Sequence, residues 1–151
     1  MTAYIIVEVE TTDEALMAAH RQLLKDDELV IVMGKLQPDR FAGGVQLTVT
    51  QLWSLEQARC RFGKYLGVTV NGCLPDVARL LAAHPPQREI TEQGELLRGL
   101  GLRLSVLRPG LAGPISFDLQ LGDQARFYPS EAALASWRAQ ADAGRAVVVY
   151  E

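Results

Sequence analysis

The chain has few of the residues on which most enzyme sites depend. Its 151 residues include only two cysteines, Cys60 and Cys73, and two histidines, His20 and His84. The cysteines have neither a metal-site spacing nor a suitably placed histidine, so reduced structural thiols are expected. His20 falls on the apolar face of a predicted helix, and His84 is expected to end a helix before two prolines. This scarcity argues against a zinc site, a disulfide and histidine-based catalysis.

The sequence motifs that mark common catalytic sites are also missing. There is no G-x-S-x-G turn and no phosphate-binding loop, and Met33-Gly34-Lys35 reads as a strand end. Asp26 and Asp27 are adjacent, but neighbours on a loop do not form the converging pair of carboxylates that acid–base or two-metal chemistry needs. We therefore predict no catalytic residue, no metal ligand and no cofactor, and no enzyme activity for this chain alone.

Long hydrophobic runs are absent as well. No stretch approaches the roughly 18 apolar residues that cross a bilayer. The apolar Tyr4–Val7 is interrupted by Glu8 and does not have the form of a signal peptide. The sequence predicts a cytoplasmic protein with no membrane contact.

What the chain has is enough apolar sequence for a core and an uneven charge distribution. Apolar residues make up 48% of the chain, which suits one domain or two small ones. The net charge is −3, yet residues 8–28 hold seven acids against two bases, whereas residues 35–64 hold five bases against two acids. The basic stretch is either a phosphate-facing patch or an ordinary solvated helix face.

The most informative segment is DDELVIVMGKLQPDRFAGGVQLTVTQLWSLEQARCRFGKY, residues 26–65. Apolar residues from Leu29 to Leu36 predict a strand, a Pro/Asp/Gly turn follows, and Val45 to Trp53 alternate as a second strand. Ser54 and Gln57 form a capping box. It opens a helix with Leu55, Ala58, Phe62 and Tyr65/Leu66 inward and with Arg59, Arg61 and Lys64 outward.

The elements on either side of this segment are predicted in the same way. The preceding chain reads as a strand at Tyr4–Val9 and a helix with an N-cap at Thr11. The following chain reads as strand 66–70, helix 75–83, an irregular segment 87–94, two strands joined by a long connection near Arg108 to Pro114, a helix capped by Ser130, and a last strand 145–150.

The same residues carry a family resemblance. The run from Asp26 to Leu66, with its GK, DRFAGG and SLEQAR motifs, resembles the second half of the oligonucleotide-binding (OB) domain of the bacterial replicative DNA polymerase III alpha subunit. The resemblance continues through Pro75-Asp76, Phe127–Ser130, Trp137 and the final apolar strand. It implies the non-catalytic tail of a DNA-directed DNA polymerase, which in the family binds the tau subunit of the clamp loader.

The resemblance implies an α+β fold in two domains. Residues 1–65 would be a partial OB-fold β-barrel, and residues 66–151 a small mixed α/β C-terminal, tau-binding-like domain. The first two strands of a complete five-stranded barrel have no counterpart, so the chain is expected to start inside the barrel. An incomplete barrel exposes a strand edge, which favours self-association or the borrowing of a strand.

Six residues are candidates for single-stranded DNA binding. Phe41, beside Arg40 in the DRFAGG turn, could stack on a base, or it could fold back and plug the barrel. The basic residues of the same region would contact phosphate. The predicted nucleic-acid-binding set is Lys35, Arg40, Phe41, Arg59, Arg61 and Lys64.

Four residues near the C-terminus are candidates for partner binding. Trp137 is either a core residue or part of a binding face, and an exposed side of its helix would offer Trp137 and Arg138 as anchors. The predicted tau-binding set is Trp137, Arg138, Val149 and Tyr150. Two functions stay open: a replisome module that binds tau, with single-stranded DNA as a second candidate ligand, and a free-standing protein that binds single-stranded nucleic acid.

Overall fold

The chain forms two compact units in a computed structural model. The units are Met1–Ser54 and Leu55–Glu151, and the structure describes residues 18, 21, 29–39, 43–92 and 94–150. Several predicted features lie outside the described residues: strand Tyr4–Val9, the helix that follows it, His20, Asp26, Asp27, Arg40 and Phe41. The predicted domain boundary after Tyr65 stays a prediction.

The described part of the first unit is a β-hairpin. Strand β1 (Val30–Pro38) pairs antiparallel with strand β2 (Val45–Ser54), and a bulge interrupts the register between Met33 and Gly34. The Thr50 hydroxyl donates to the Met33 carbonyl at 3.0 Å, on the strand opposite. Both predicted strands are confirmed. Within the described residues the sheet is two-stranded and not a closed barrel, so the OB-type part of the prediction is not confirmed.

The second unit contains three α-helices and six strands among its described residues. They follow in the order α1 (Leu55–Phe62), β3 (Gly63–Asn71), α2 (Val77–Ala83), β4 (Gln87–Thr91), β5 (Gly94–Arg98), β6 (Gly101–Gly110), β7 (Gly113–Gln120), α3 (Glu131–Gln140), a 3-10 turn (Asp142–Gly144) and β8 (Ala146–Tyr150). The α+β class is confirmed.

Four of these strands form the main sheet, in the order β7-β6-β3-β8. β3 and β6 are parallel, whereas β7 and β8 pair antiparallel with β6 and β3. Strand residues alternate between faces, so Leu66, Val68 and Val70 of β3 share one face. Leu102, Leu104 and Val106 of β6 lie beside them, and all six are at most 2% exposed. This face is the core side of the sheet.

Helices α2 and α3 cover the core side. α3 contributes Leu134 and Trp137, and the Trp137 ring packs at 53° to Phe127 with 5.9 Å between centroids. The Ser130 hydroxyl accepts from the Ala133 amide at 3.2 Å, which confirms the predicted cap of this helix. α2 begins two residues later than predicted, because the Asp76 carboxylate is its N-cap.

Two sequence predictions in this unit are wrong. Residues 87–94 are not irregular: β4 and β5 form a hairpin, with the Arg88–Glu95 and Arg98–Glu89 ion pairs across it at 3.1 and 2.6 Å. The long connection before β7 is instead a two-residue turn, since the strands pair through Pro109 opposite Pro114. Pro109 is tolerated because β3 stops pairing with β6 at Leu107, which leaves the proline outside the central ladder.

Candidate functional site

The face of the main sheet opposite the core carries a shallow pocket. Its volume is about 340 Å³. We call it the open face. Because side chains alternate, it presents the residues between the buried ones. Its lining consists of Tyr65, Gly67, Thr69, Arg103, Ser105, Asp118, Arg145, Val147 and Val149.

A hydrogen-bonded network fixes the polar side chains of the open face. Arg103 donates to the Tyr65 hydroxyl at 3.2 Å and to the Asp118 carboxylate at 2.5 Å, and its guanidinium lies 5.5 Å from the Tyr65 ring centroid. The Ser105 hydroxyl donates to Asp118 at 2.6 Å. The bonds from Ser105 and Arg103 lower the pKa of Asp118, and the bond to Asp118 raises the pKa of Arg103. Both groups are therefore held in their charged forms.

The cations of the open face are matched by acids. Arg103 pairs with Asp118, and Arg145 pairs with Asp142 in the preceding 3-10 turn. A Cβ added at Gly67 would be 3.7–3.8 Å from Val147, Tyr65 and Val149. The absence of a side chain at Gly67 therefore leaves a small hollow between these residues. The arrangement suits a small apolar or aromatic group of a protein partner better than a phosphate backbone.

A second pocket lies where α1 passes into β3. We call it the basic pocket. Its volume is about 480 Å³, and its lining is Arg61, Phe62, Gly63, Lys64 and Tyr150. The structure thus brings together two predicted DNA-binding residues, Arg61 and Lys64, with Tyr150 from the predicted partner-binding set. Phe62 was predicted to point inward, which is wrong, since it is 44% exposed.

Of the other predicted DNA-binding residues, only Arg59 belongs to the described part of the second unit, and it does not line this pocket. Arg59 was predicted to point outward, but its side chain is only 12% exposed. It donates to the Pro129 carbonyl at 3.1 Å and forms an ion pair with Glu131, so it connects α1 to the start of α3. Lys35 is exposed on β1 in the first unit. Arg40 and Phe41 lie outside the described residues.

The predicted partner-binding residues are spread over different parts of the second unit. Trp137 is fully buried, so the expectation that α3 offers it on an exposed side is wrong. Arg138 is half-exposed and lies 4.0 Å from Glu131. Val149 lies on the open face and Tyr150 at the basic pocket. The four residues do not form one surface.

Sequence reasoning missed Tyr65, Arg103 and Asp118 as a group. The alternation of Arg103 and Ser105 with leucines was visible in the sequence and predicted a two-faced strand. It could not indicate that β3 and β7 would lie on either side of β6 and complete the network.

The described residues contain neither a metal-ligating cluster nor a membrane-spanning helix. Among those residues, no cluster of three or more His, Cys, Asp and Glu side chains is placed to hold a metal ion. None of the helices described is long and apolar enough to span a membrane.

Comparison with known proteins gives one local similarity to report. No family model matches the chain. Over 48 residues the chain is 38% identical to the DNA polymerase III subunit alpha of Pasteurella multocida (strain Pm70). The matched segment is 32% of this chain and 4% of that protein, so the chain spans a small part of its relative's length. The match supports a relation to that subunit over those 48 residues.

Proposed function

We propose that this chain is a non-catalytic assembly module of the bacterial replication machinery, acting in the cytoplasm and binding the clamp-loader tau subunit. The observation that carries the proposal is the 48-residue similarity to a DNA polymerase III alpha subunit. The resemblance of the GK, DRFAGG and SLEQAR motifs to that family supports it further.

The open face is the surface we assign to tau. Tyrosine and arginine are enriched among the residues that dominate binding energy at protein interfaces, and Tyr65 and Arg103 are held in place by their own hydrogen bonds. Because these two side chains are already ordered, less conformational entropy is lost when a partner binds. The matched charges on this face also favour a protein over a polyanion.

Helix α3 is a weaker choice for the same role. The burial of Trp137 removes the aromatic anchor that favoured this helix. The outer residues of α3 include Ala132, Ala135 and Ala139, which offer little area to a partner. Arg138 is the exposed arginine of this helix, and arginine is one of the usual anchor types at interfaces.

The proposal is tested by titrating purified tau into the full-length chain in a calorimeter. Val147 is 63% exposed on the open face, so Val147→Asp introduces a charge there without entering the core. We expect it to weaken binding at least about tenfold, or about 1.4 kcal/mol. The matched control is Ile115→Asp, which changes a 58% exposed β-branched residue on the other face of the sheet and should leave affinity unchanged.

The outcomes separate the possible surfaces. Absence of binding by the unmodified chain would overturn the proposal itself. Reduced affinity in Arg138→Ala with normal affinity in Val147→Asp would move the interface to α3. Equal losses in Val147→Asp and Ile115→Asp, with unchanged melting temperatures, would show that the open face is not a specific site.

A further inference from the structure

Strand β7 forms one edge of the main sheet, and all eight of its residues are exposed. Among the described residues it pairs only with β6, in an uninterrupted register. Edge strands are commonly shielded by lysine, by a bulge or by proline, because their unpaired backbone groups can pair with another chain. β7 has no basic residue and no bulge, and its one proline, Pro114, stands at the second position. This edge, which is distinct from the barrel edge that the resemblance implied, is therefore open to a further strand.

The register of β7 determines which of its backbone amides point outward. The Leu121 amide donates to the Leu102 carbonyl at 3.1 Å, and this pair continues the ladder of β6 and β7. Hydrogen-bonded and non-hydrogen-bonded pairs alternate along an antiparallel ladder. The amides of the even-numbered residues within Ser116–Gln120 therefore point away from the sheet, and those of the odd-numbered residues point to β6. Pro114 belongs to the outward series, so its missing N–H removes no bond from the β6–β7 ladder.

The side chains of β7 form an apolar row that stays exposed. Ile115, Phe117 and Leu119 lie on the core side of the sheet, next to buried residues of β6, yet they are between 37% and 58% exposed. We call these three residues the apolar row. Ser116 and Asp118 point to the open face, where Asp118 belongs to the hydrogen-bonded network. The pattern is symmetric about Phe117, with a polar residue on each side and an aliphatic residue beyond it.

We propose that two copies of this chain pair antiparallel through β7, with Phe117 opposite Phe117 of the second copy, and join their four-stranded sheets into one. A twofold interface is self-complementary, because each contact between two residues occurs twice. A strand whose pattern is symmetric about one residue therefore suits a second copy better than an unrelated strand. In this register Ser116 faces Asp118 of the second copy, and both amides point into the interface, where they can donate. Ile115 packs beside Leu119 of the second copy.

Charge and side-chain contact favour this register over its neighbours. Outward amides must face outward amides, so the next twofold register in one direction centres on Asp118 and places two carboxylates directly opposite each other, which is unfavourable. The next register in the other direction centres on Ser116 and places Leu119 opposite Gly113, which has no side chain to contact. The eight residues of β7 are fewer than the roughly 20–30 residues a side of a standard interface, so we expect a weak dimer with a Kd of about 10–100 μM.

The test is sedimentation equilibrium of the full-length chain over a concentration range that spans this Kd. The weight-average mass should rise from that of one chain to that of two. Ser116→Pro removes an outward amide without removing a bond to β6, and it should weaken dimerisation at least about tenfold. Ser116→Ala is the matched control, because it keeps the amide and should leave the Kd unchanged.

A second pair of variants tests the apolar row. Phe117→Asp places two carboxylates opposite each other at the centre of the interface and should also weaken dimerisation at least about tenfold. Leu74→Asp adds the same charge at an exposed leucine outside β7 and should leave the Kd unchanged. Ser116→Pro acts on the backbone and Phe117→Asp on a side chain, so each decides the question if the other disturbs cooperative melting.

The register is tested by disulfide formation in a Cys73→Ser background. Cα atoms in a non-hydrogen-bonded antiparallel pair lie about 4.5 Å apart, within the range that a disulfide spans. Phe117→Cys should therefore form a covalent dimer on mild oxidation, whereas Leu119→Cys, which faces Ile115 of the second copy, should not. Equal cross-linking of the two variants, or none with Phe117→Cys, would contradict the register.

Other outcomes would overturn the dimer itself. These are a mass that stays that of one chain at the highest concentration, or folded Ser116→Pro and Phe117→Asp chains that dimerise normally. A mass that rises beyond two chains would indicate head-to-tail pairing of β7 with a different edge instead of a closed twofold contact. The interface uses the backbone of β7 and the apolar row, whereas Val147 of the surface assigned to tau lies on β8, so either proposal can fail while the other holds.

Discussion

The two cysteines differ sharply at the level of single residues. Cys60 lies on α1, partly buried, and burial raises the pKa of its thiol from 9.0 to about 11. A smaller contribution from the positive charge of Arg98 lowers the pKa, and the negative charge of Glu56 raises it. Cys73 follows β3 and is exposed. Because the thiolate is the reactive form, the two side chains should react at very different rates.

We predict that iodoacetamide at about pH 8 modifies Cys73 and leaves Cys60 largely intact in the folded chain. With a pKa of about 11, Cys60 has about a thousandth of its thiol ionised at this pH. Its modification should accelerate as the pH rises toward 11. Peptide mass spectrometry with time measures both sites, and Cys73→Ser isolates the slow reaction. Faster modification of Cys60 than of Cys73 would contradict the assigned environment.

Individual side-chain positions were predicted less well than the elements that carry them. The helical period placed Arg59 on the outer side of α1, but its partners Pro129 and Glu131 come about seventy residues later in the chain. The same period predicted that Phe62 points inward. Phe62 faces solvent instead, because α1 ends at this residue and β3 begins at the next one. Periodicity identifies a face of a helix; it does not identify what packs against that face.

At the scale of elements, α3 is held mainly by its apolar side. Trp137 is fully buried against Phe127, and the Trp137 Nε1 has no hydrogen-bond partner among the described residues. A buried donor without a partner costs about 1–3 kcal/mol. The indole therefore stabilises the core through the apolar area that it buries, and the cost of its N–H group without a partner offsets part of that gain.

We predict that Trp137→Ala lowers the free energy of unfolding by about 3–5 kcal/mol, because it leaves a large cavity. Trp137→Phe should cost less, since it loses volume but also removes the unpaired N–H. Urea unfolding followed by circular dichroism measures both. Trp137→Phe should bind tau normally, as the ring is not on the surface. A folded Trp137→Phe chain that no longer binds tau would return this residue to the interface.

Elements with a clear apolar pattern were predictable, and the others were not. Leu102, Leu104 and Val106 alternate with polar residues and identified β6. The β4–β5 hairpin has no such pattern, because almost all its side chains are exposed and Ile90 is 90% exposed. Its stabilising contacts are cross-strand ion pairs and backbone hydrogen bonds, which leave little trace in hydrophobicity.

At the scale of the whole molecule, the second unit depends on pairings between distant parts of the chain. β3 lies between β6, more than thirty residues later, and β8 at the end of the chain. The alternating pattern of β3 is compatible with either neighbouring strand and with parallel or antiparallel pairing. The strand order therefore could not be predicted from the sequence. The open face depends on β8, because Val147 and Val149 of that strand line it, and Tyr150 of the same strand lines the basic pocket.

We predict that deleting Gly144 to Glu151 abolishes binding of tau by unfolding the second unit. The deletion removes the strand that pairs with β3 from Gly63 to Val68, and it removes Ala146 and Val148 from the core. Thermal melting by circular dichroism should lose its main cooperative transition, whereas Val147→Asp should keep the transition and weaken only the binding of tau.

The comparison of these two variants distinguishes a structural role of β8 from its role in binding. A truncated chain that melts cooperatively and still binds tau would contradict both the predicted unfolding and the assignment of tau to the open face. A Val147→Asp chain that melts normally but no longer binds tau would show that β8 contributes a side chain to the interface as well as a strand to the sheet, because Val147 points to the open face while Ala146 and Val148 point to the core.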